Sequence, residues 1–232
     1  ADDIVLRGVD RAGAPFRLAM LRQQEEQPDG RPNLSLADFL APLNSGIEDY
    51  VGAFAVTAGL GVEDLVDHYK RDHNDYDAII VKALADRLAQ AGAEWLHARA
   101  RRDWGFGDEP LSPDDLMAER YRSIRPALGY PSAPDHRQKR LVFELLGADR
   151  AGIALTESCA MTPGASVSGL YFAHPAAKYF NIGRIVPPDR RRLRLHPAGT
   201  NHRGRQHHPW HDEPDHQGIR ASPDLVSISH HV

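Results

Sequence analysis

The sequence is poor in the features that mark secreted, membrane and nucleic-acid-binding proteins. Its 232 residues include a single cysteine, Cys159, so an intrachain disulfide is excluded and a reducing, cytoplasmic setting is expected. No apolar run approaches the roughly 18 residues of a membrane span. The first residues, ADDIVLRGVD, lack the basic and apolar regions of a signal peptide. The net charge of -4 gives no indication of a nucleic-acid partner or an anionic membrane surface.

The hydrophobic content is ordinary and predicts a folded domain of mixed class. Hydrophobic residues make up 41% of the chain, which is enough for one domain with a sizeable core or for two small ones. The segments DIVLRGV and FRLAML alternate as a hairpin would, with the turn around Asp10–Pro15. A strand is predicted in YVGAFAVTA, and a helix is predicted to begin near Val62.

The clearest predicted element is a long helix from about Tyr76 to Asp103. Its apolar side chains recur every three or four residues and form one stripe of an amphipathic helix: Tyr76, Ile80, Leu84, Leu88, Ala91 and Trp95. Four charged residues lie off that stripe: Lys82, Arg87, Glu94 and Arg99. Gly92 stands inside the helix, where it costs about 1 kcal/mol relative to alanine.

The second half of the chain predicts two more helices and three strands. Ser112 suits an N-cap and Pro113 the first helical position, so a helix is expected from there until Pro126 denies helical geometry to Arg125. A further helix is predicted in RQKRLVFELLGADRAGI, and strands in ALTESCAM, SVSGLYFAH and AKYFNIGRI. The predicted fold class is therefore α+β, with a largely antiparallel sheet and helices inserted among its strands.

The segment RPALGYPSAPDH, residues 125–136, predicts a stiff loop between two helices. Its three prolines fix φ, and Gly129 permits a turn that other residues resist. A rigid loop loses little entropy when a ligand binds. Arg125 at its entrance suits a bidentate contact to a carboxylate or phosphate, and Tyr130 offers a ring to a cation. The alternative is a structural loop in which Arg125 pairs with a neighbouring acid such as Glu119.

Several longer stretches together resemble one family. They are ADFLAP, DYVGAFAVTAGLG, HNDYDAIIVKALADRLAQA, EWLHARARRDWGFG, AERYRSIRPALGYPSAPDH and LTESCAMTPGASVSGLYFAHPAAKYF. In this order, and from about residue 3 to residue 185, they are similar to the C-terminal activation domain of cobalamin-dependent methionine synthase. The resemblance implies a twisted, largely antiparallel sheet flanked by helices that binds S-adenosylmethionine, over residues 1–186.

The family's enzyme is a methyltransferase of methionine biosynthesis, and the resemblance implies a role in its repair. The enzyme moves a methyl group from methyltetrahydrofolate through cobalamin to homocysteine. When cob(I)alamin is oxidised to cob(II)alamin, this domain docks on the cobalamin-binding domain. An electron from a flavodoxin-type reductase and a methyl group from S-adenosylmethionine then restore methylcobalamin. The family's cobalamin module, folate barrel and zinc site belong to the full-length enzyme. The alternative is a stand-alone module that binds S-adenosylmethionine or a reductase and catalyses no reaction.

The resemblance also implies which residues bind. Arg125 matches the family arginine that holds the methionine carboxylate, and Ala127 would offer backbone groups to the ligand. Tyr179 and Phe180 match an aromatic pair beside the ligand. Three further positions complete the implied site: the acidic residue Glu119, and Tyr130 and His136 on the loop surface expected to face the cobalamin domain. No residue is expected to act as acid or base.

The sequence departs from the family pattern at several positions. Gln90 stands where the family has glutamate, Gly92 where it has a large aromatic residue, and Phe180 where it often has a second tyrosine. The family's aspartate contact to S-adenosylmethionine is expected to precede Ala1. These departures put one acidic contact and local packing in doubt.

Residues 187–232 differ in composition from the rest of the chain and are expected to be disordered. They contain six prolines, seven arginines, no lysine and eight of the thirteen histidines. The family continues with an acidic helix, so a shifted reading frame is one hypothesis, which translation of the coding DNA in the other frames would test. A metal site at His207, His208, His211 and His216 and an RNA-binding role for the arginines are weaker alternatives. A thiol nucleophile at Cys159 is also disfavoured, because a lone cysteine among apolar residues is usually a small hydrophobe.

Overall fold

The structure is a computed structural model that describes residues 2–7, 15–25, 27, 30–108 and 110–184, together with the backbone of residues 226–230. This part of the chain contains two sheets, four α-helices and four short 3-10 helices. The strands are β1 (Asp3–Arg7), β2 (Phe16–Ala19), β3 (Asp49–Thr57), β4 (Ala154–Leu155), β5 (Met161–Thr162), β6 (Ser166–Tyr171) and β7 (Val226–His230). The helices are α1 (Val62–Arg71), α2 (Asp75–Asp103), α3 (Pro113–Met117) and α4 (Lys139–Leu146).

The larger sheet is antiparallel throughout, in the order β2-β1-β7-β3-β6. Strand β3 pairs with β6 from Gly52 opposite Tyr171 to Thr57 opposite Ser166. Strands β4 and β5 form a separate two-stranded sheet. The sheet and the helices around it confirm the α+β fold class.

The main core lies under the sheet and contains aliphatic and aromatic side chains from strands, helices and loops. Its fully or almost fully buried members include Ile4, Leu6, Leu18, Leu36, Leu128, Leu170 and Phe172. Phe172 follows β6 directly and bridges to Ile124, whose backbone exchanges both hydrogen bonds with it. This bridge brings the chain just before Arg125 to the outer edge of β6.

Helix α2 packs on β3 and β6 through a face of alanine side chains, which His97 and Arg101 continue, rather than through its large apolar side chains. The buried residues recur along one face: Ala78, Ala85, Ala89, Ala93, His97 and Arg101. The large apolar stripe predicted from the sequence lies on another face and is exposed; Tyr76 is 73% exposed and Leu88 64%. Small side chains let the helix axis approach the sheet closely. The orientation of α2 therefore follows from close packing and not from the burial of its largest side chains.

Two further predictions, a helix and a strand, need correction. The helix that begins at Pro113 ends at Met117, well before Arg125, because Glu119 and Ser123 have left-handed backbones with φ of 50° and 90°. The segment ALTESCAM is not one strand; its two ends belong to the β4 and β5 hairpin. Their antiparallel pairing turns the chain around Cys159, which is buried.

The predicted strand in AKYFNIGRI is absent from its described part, residues 177–184. The backbone there bonds to loops instead of a strand: Ile182 N–H donates to Pro131 O at 3.2 Å, and Ile182 O accepts from Gln24 N–H at 2.8 Å. These hydrogen bonds satisfy the extended segment without a neighbouring strand.

The tail differs from the expectation at the five residues that the structure describes. Val226–His230 forms β7 between β1 and β3 in the larger sheet. Alternating residues in VSISH fit a strand, a local pattern that the composition of the whole tail obscures. The other residues of the 187–232 segment, with the histidine cluster, lie outside the described residues, as does the predicted turn around Asp10.

Gly92 can be tested by substitution, because the structure leaves room for a side chain. A Cβ added there meets no atom within 4 Å. We expect Gly92→Ala to raise the free energy of unfolding in urea by about 1 kcal/mol, since alanine loses less backbone entropy in a helix. The control Ala91→Gly, one residue away, should lower it by a similar amount. A destabilised Gly92→Ala protein would contradict this account.

Candidate functional site

The loop of residues 125–136, here called the proline loop, lies along the outer edge of β6. Leu170 N–H donates to Pro126 O at 3.0 Å, as if the loop were a further strand. The close approach requires glycine on β6, because a Cβ at Gly169 would stand 2.7 Å from Pro126 O. The entrance of the loop is therefore fixed to the sheet.

Hydrogen bonds also lock the proline loop internally. Gly129 N–H donates to Ala133 O at 2.7 Å, and Ala133 N–H donates to Tyr130 O at 2.9 Å. The Ser132 hydroxyl donates to Phe180 O at 2.7 Å. Gly129 has a φ of 97°, which favours glycine. Hydrogen bonds, as well as prolines, therefore stiffen the loop.

Arg125 is half-buried at the loop entrance, and two carboxylates lie against its guanidinium group. Its Nη1 is 2.7 Å from Glu94 Oε2, and its Nη2 is 3.1 Å from Glu119 Oε1. Its backbone N–H donates to the Tyr179 hydroxyl at 3.0 Å. The predicted pair with Glu119 is present, and Glu94 on α2 is an additional partner.

A second arginine and a tyrosine extend this charge network inward. The Tyr121 hydroxyl accepts from Arg125 Nη1 at 2.5 Å and donates to Glu94 Oε2 at 3.2 Å. Burial raises the pKa of Tyr121 to about 12, so the hydroxyl keeps its proton. The Arg101 guanidinium lies 3.7 Å from the Tyr121 ring centroid, a cation–π geometry, and its Nη1 is 3.9 Å from Glu94 Oε1. The two arginines, Glu94 and Glu119 balance in formal charge.

His97 lies beneath this network and is fully buried. Its ring is stacked on that of Tyr171, with centroids 5.0 Å apart and planes 5° apart. Burial, followed by the charges of Arg101 and Arg125, lowers the pKa of His97 to about 3, so the imidazole is neutral at pH 7. A neutral ring can accept a hydrogen bond on one of its nitrogens.

The remaining predicted site residues are distributed around the loop. Tyr179 is 45% exposed beside Arg125, whereas the Phe180 ring packs towards Phe39 in the core with centroids 6.4 Å apart. Tyr130 is 64% exposed on the loop, and Ala127 is partly buried. Arg125, Glu119 and Tyr179 are thus brought together, and Phe180 points away from them.

His136, the last residue of the proline loop, packs back against Gly129 rather than beside Arg125. A Cβ at Gly129 would meet its ring at 2.1 Å, so the ring packs directly on the glycine backbone. Its Nδ1 is 3.0 Å from Lys139 Nζ, and burial lowers the pKa of Lys139. Because an ammonium group only donates, Nδ1 is the acceptor in this contact.

Five residues of the network were not predicted from the sequence: Glu94, His97, Arg101, Tyr121 and Tyr171. A signal for three of them was available in α2. Glu94, His97 and Arg101 follow each other at intervals of three and four, so they share one side of the helix. His97 and Arg101 also continue the small-residue face, where a polar side chain must find buried partners.

The described part of the chain shows neither a metal site nor a membrane-spanning helix. No group of three or more His, Cys, Asp or Glu side chains there is arranged to hold a metal ion. No described helix combines the length and hydropathy needed to cross a membrane.

A family model matches most of the chain. The family model described as "Vitamin B12 dependent methionine synthase, activation domain" matches residues 1–190. The chain belongs to this family. The resemblance inferred from the sequence is confirmed.

A solved structure supports the methionine synthase assignment. It is described as "Crystal Structure of the MetH Reactivation Domain bound to AdoHcy", where AdoHcy is S-adenosylhomocysteine. The identity is 48% and the TM-score 0.74, and the match covers 79% of this chain. It spans 57% of the length of that chain. The roles predicted for individual ligand-binding residues stay predictions.

The neutral, buried His97 should make stability depend on pH. Because its pKa is lowered from 6.5 to about 3, the unfolded chain binds a proton that the folded chain does not bind between these values. Stability contributed by His97 is therefore fully present above pH 6.5 and is lost as the pH falls towards 3, by up to about 1.4 kcal/mol per pH unit. Urea unfolding of wild type and His97→Phe between pH 4.5 and 7.5 checks this. A difference that does not change with pH would contradict it.

Proposed function

We propose that this methionine synthase activation domain binds S-adenosylmethionine at Arg125 and supports the reductive methylation of cob(II)alamin. The family assignment and the AdoHcy named for the matched reactivation domain support this function. The observation that carries it is the half-buried Arg125 guanidinium at the entrance of a locked loop. A fixed guanidinium group binds a carboxylate through two parallel hydrogen bonds.

The charges around Arg125 fit the methionine part of the ligand. Its guanidinium group already contacts carboxylates, so a ligand carboxylate meets a donor set of the right chemistry. Glu119 is the more exposed partner, with a side chain 35% exposed against 23% for Glu94. The ligand carboxylate therefore displaces Glu119, while Glu94 continues to hold the inner nitrogen. Tyr179 lies at the same entrance, where its hydroxyl accepts from Arg125 N–H, and the Ala127 backbone is proposed to bind the ligand as well.

The protein contributes to methyl transfer by positioning the ligand. S-adenosylmethionine supplies an electrophilic methyl group on a sulfonium, which is already a good leaving group. An acid or base is therefore unnecessary, and holding the methyl group in line with its acceptor is the main contribution of the protein. Cobalamin and zinc are assigned to other modules of the enzyme.

The exposed side of the proline loop is proposed to meet the cobalamin-binding domain of the same enzyme, and a flavodoxin-type reductase supplies the electron. Tyr130 supports this assignment because a large aromatic side chain that is 64% exposed on a rigid loop suits an interface. The ring of His136, at the end of the same loop, packs against Gly129.

Calorimetric titration of S-adenosylmethionine tests the ligand site. We expect saturable binding that falls about 100-fold in Arg125→Ala and at least about tenfold in Arg125→Lys, because lysine lacks the planar fork. Arg17→Ala is the matched control, since Arg17 forms an exposed pair with Asp3. It should bind as the wild type does. A folded wild-type chain that does not bind, or an Arg125→Ala chain that binds normally, would contradict the proposal.

Binding to the isolated cobalamin-binding domain tests the docking surface. Tyr130→Ala should weaken that association by about tenfold or more, because buried aromatic anchors contribute strongly to interfaces. The control is Leu21→Ala, which shortens another exposed apolar side chain, 40% exposed near β2. Equal affinities of Tyr130→Ala and the wild type for the cobalamin-binding domain would show that Tyr130 does not belong to the interface.

A further inference from the structure

We propose that His97 is a positioning residue that holds the Arg125 guanidinium group in the orientation that receives a ligand carboxylate. The inference rests on the proposed function of Arg125, although its structural basis is independent of any ligand. His97 belongs to α2 and does not itself reach the loop surface, since it is fully buried. It therefore acts through Arg125.

The hydrogen bonds fix the tautomer of His97. Arg125 Nη1 is 3.2 Å from His97 Nδ1, and a guanidinium group can only donate. Nδ1 must then be unprotonated, so the proton of the neutral ring is on Nε2. The Nε2–H group donates to the Ser123 hydroxyl oxygen, 2.8 Å away. One ring thus connects the arginine to the buried Ser123 side chain.

Both ends of this connection are held. Ser123 is only 4% exposed and has a φ of 90°, so its place is set by the irregular backbone between α3 and the loop. The His97 ring is stacked on Tyr171, which is stacked in turn on Phe54 with centroids 4.6 Å apart. The ring cannot swing away without breaking this stack, so its acceptor nitrogen stays at one position.

The two terminal nitrogens of Arg125 have different partners, and this difference shows what the positioning achieves. Nη1 has three inner partners: Glu94, Tyr121 and His97. Nη2 contacts Glu119, the more exposed carboxylate. The inner contacts direct Nη2 outwards, towards the side from which a ligand arrives. A neutral acceptor at position 97 does this without adding a third negative charge to the balanced network.

Two matched substitutions separate positioning from packing. His97→Asn keeps an acceptor near the Nδ1 position and loses the contact to Ser123. His97→Gln reaches the Nε2 position, keeps a donor for Ser123 and loses the acceptor for Arg125. His97→Phe keeps the stack on Tyr171 and loses both. Thermal unfolding of each variant is measured as well, because all three disturb the core.

Calorimetric titration of S-adenosylhomocysteine provides the first readout. We expect His97→Asn to bind within about threefold of the wild type, and His97→Gln and His97→Phe to bind at least about tenfold more weakly. Ser123→Ala, which retains the ring and removes its anchor, should lose about threefold. Equal losses in the Asn and Gln variants would overturn the proposal, because they would follow from packing alone.

NMR of the arginine side chains gives a readout that needs no ligand. The Arg125 signals, assigned by their loss in Arg125→Lys, should show slow guanidinium rotation in wild type and His97→Asn. They should show faster rotation in His97→Gln, where Nη1 keeps only Glu94 and Tyr121. Identical rotation in the Asn and Gln variants would overturn the inference even if the proposed function holds. A wild type with slow rotation and no affinity for S-adenosylhomocysteine would overturn the proposed function alone.

Discussion

A positive charge below the protein surface constrains much of this domain. Arg125 needs negative charge and hydrogen-bond acceptors within reach, because an unpaired guanidinium group is costly to desolvate. Glu94 and His97 on α2 supply part of them, and Glu119 and Tyr121 supply the rest from the segment before the loop. These contacts join α2 to the segment between α3 and the proline loop.

The sequence predicted the regular elements well where one pattern dominated. Strand β3, the start of α1 and the extent of α2 agree with periodicity and capping, and the Ser112 side chain accepts from Asp115 N–H as an N-cap should. The periodic pattern indicated the wrong packing face of α2, because that helix has apolar residues on two faces. Periodicity detects large side chains, whereas close packing on a sheet selects small ones.

Only part of the site was predicted, because sequence patterns are local and the residues of the site are not. Arg125 stood out because prolines followed it, and Glu119 because it was a nearby acid. Glu94 and His97 are some thirty residues away in sequence, and only the packing of α2 on the sheet brings them to Arg125. The two left-handed residues that end α3 early carry no sequence signature, since both are ordinary side chains with positive φ.

The contact between the proline loop and β6 has a consequence for the solubility of the sheet. Strand β6 ends the larger sheet, and an unpaired edge strand is a template for another chain. Leu170 N–H is bonded to Pro126 O, and Phe172 is bridged to Ile124. Pro126 itself has no N–H to offer a further strand. The segment that presents Arg125 to a ligand therefore also closes this edge against intermolecular strand addition and aggregation.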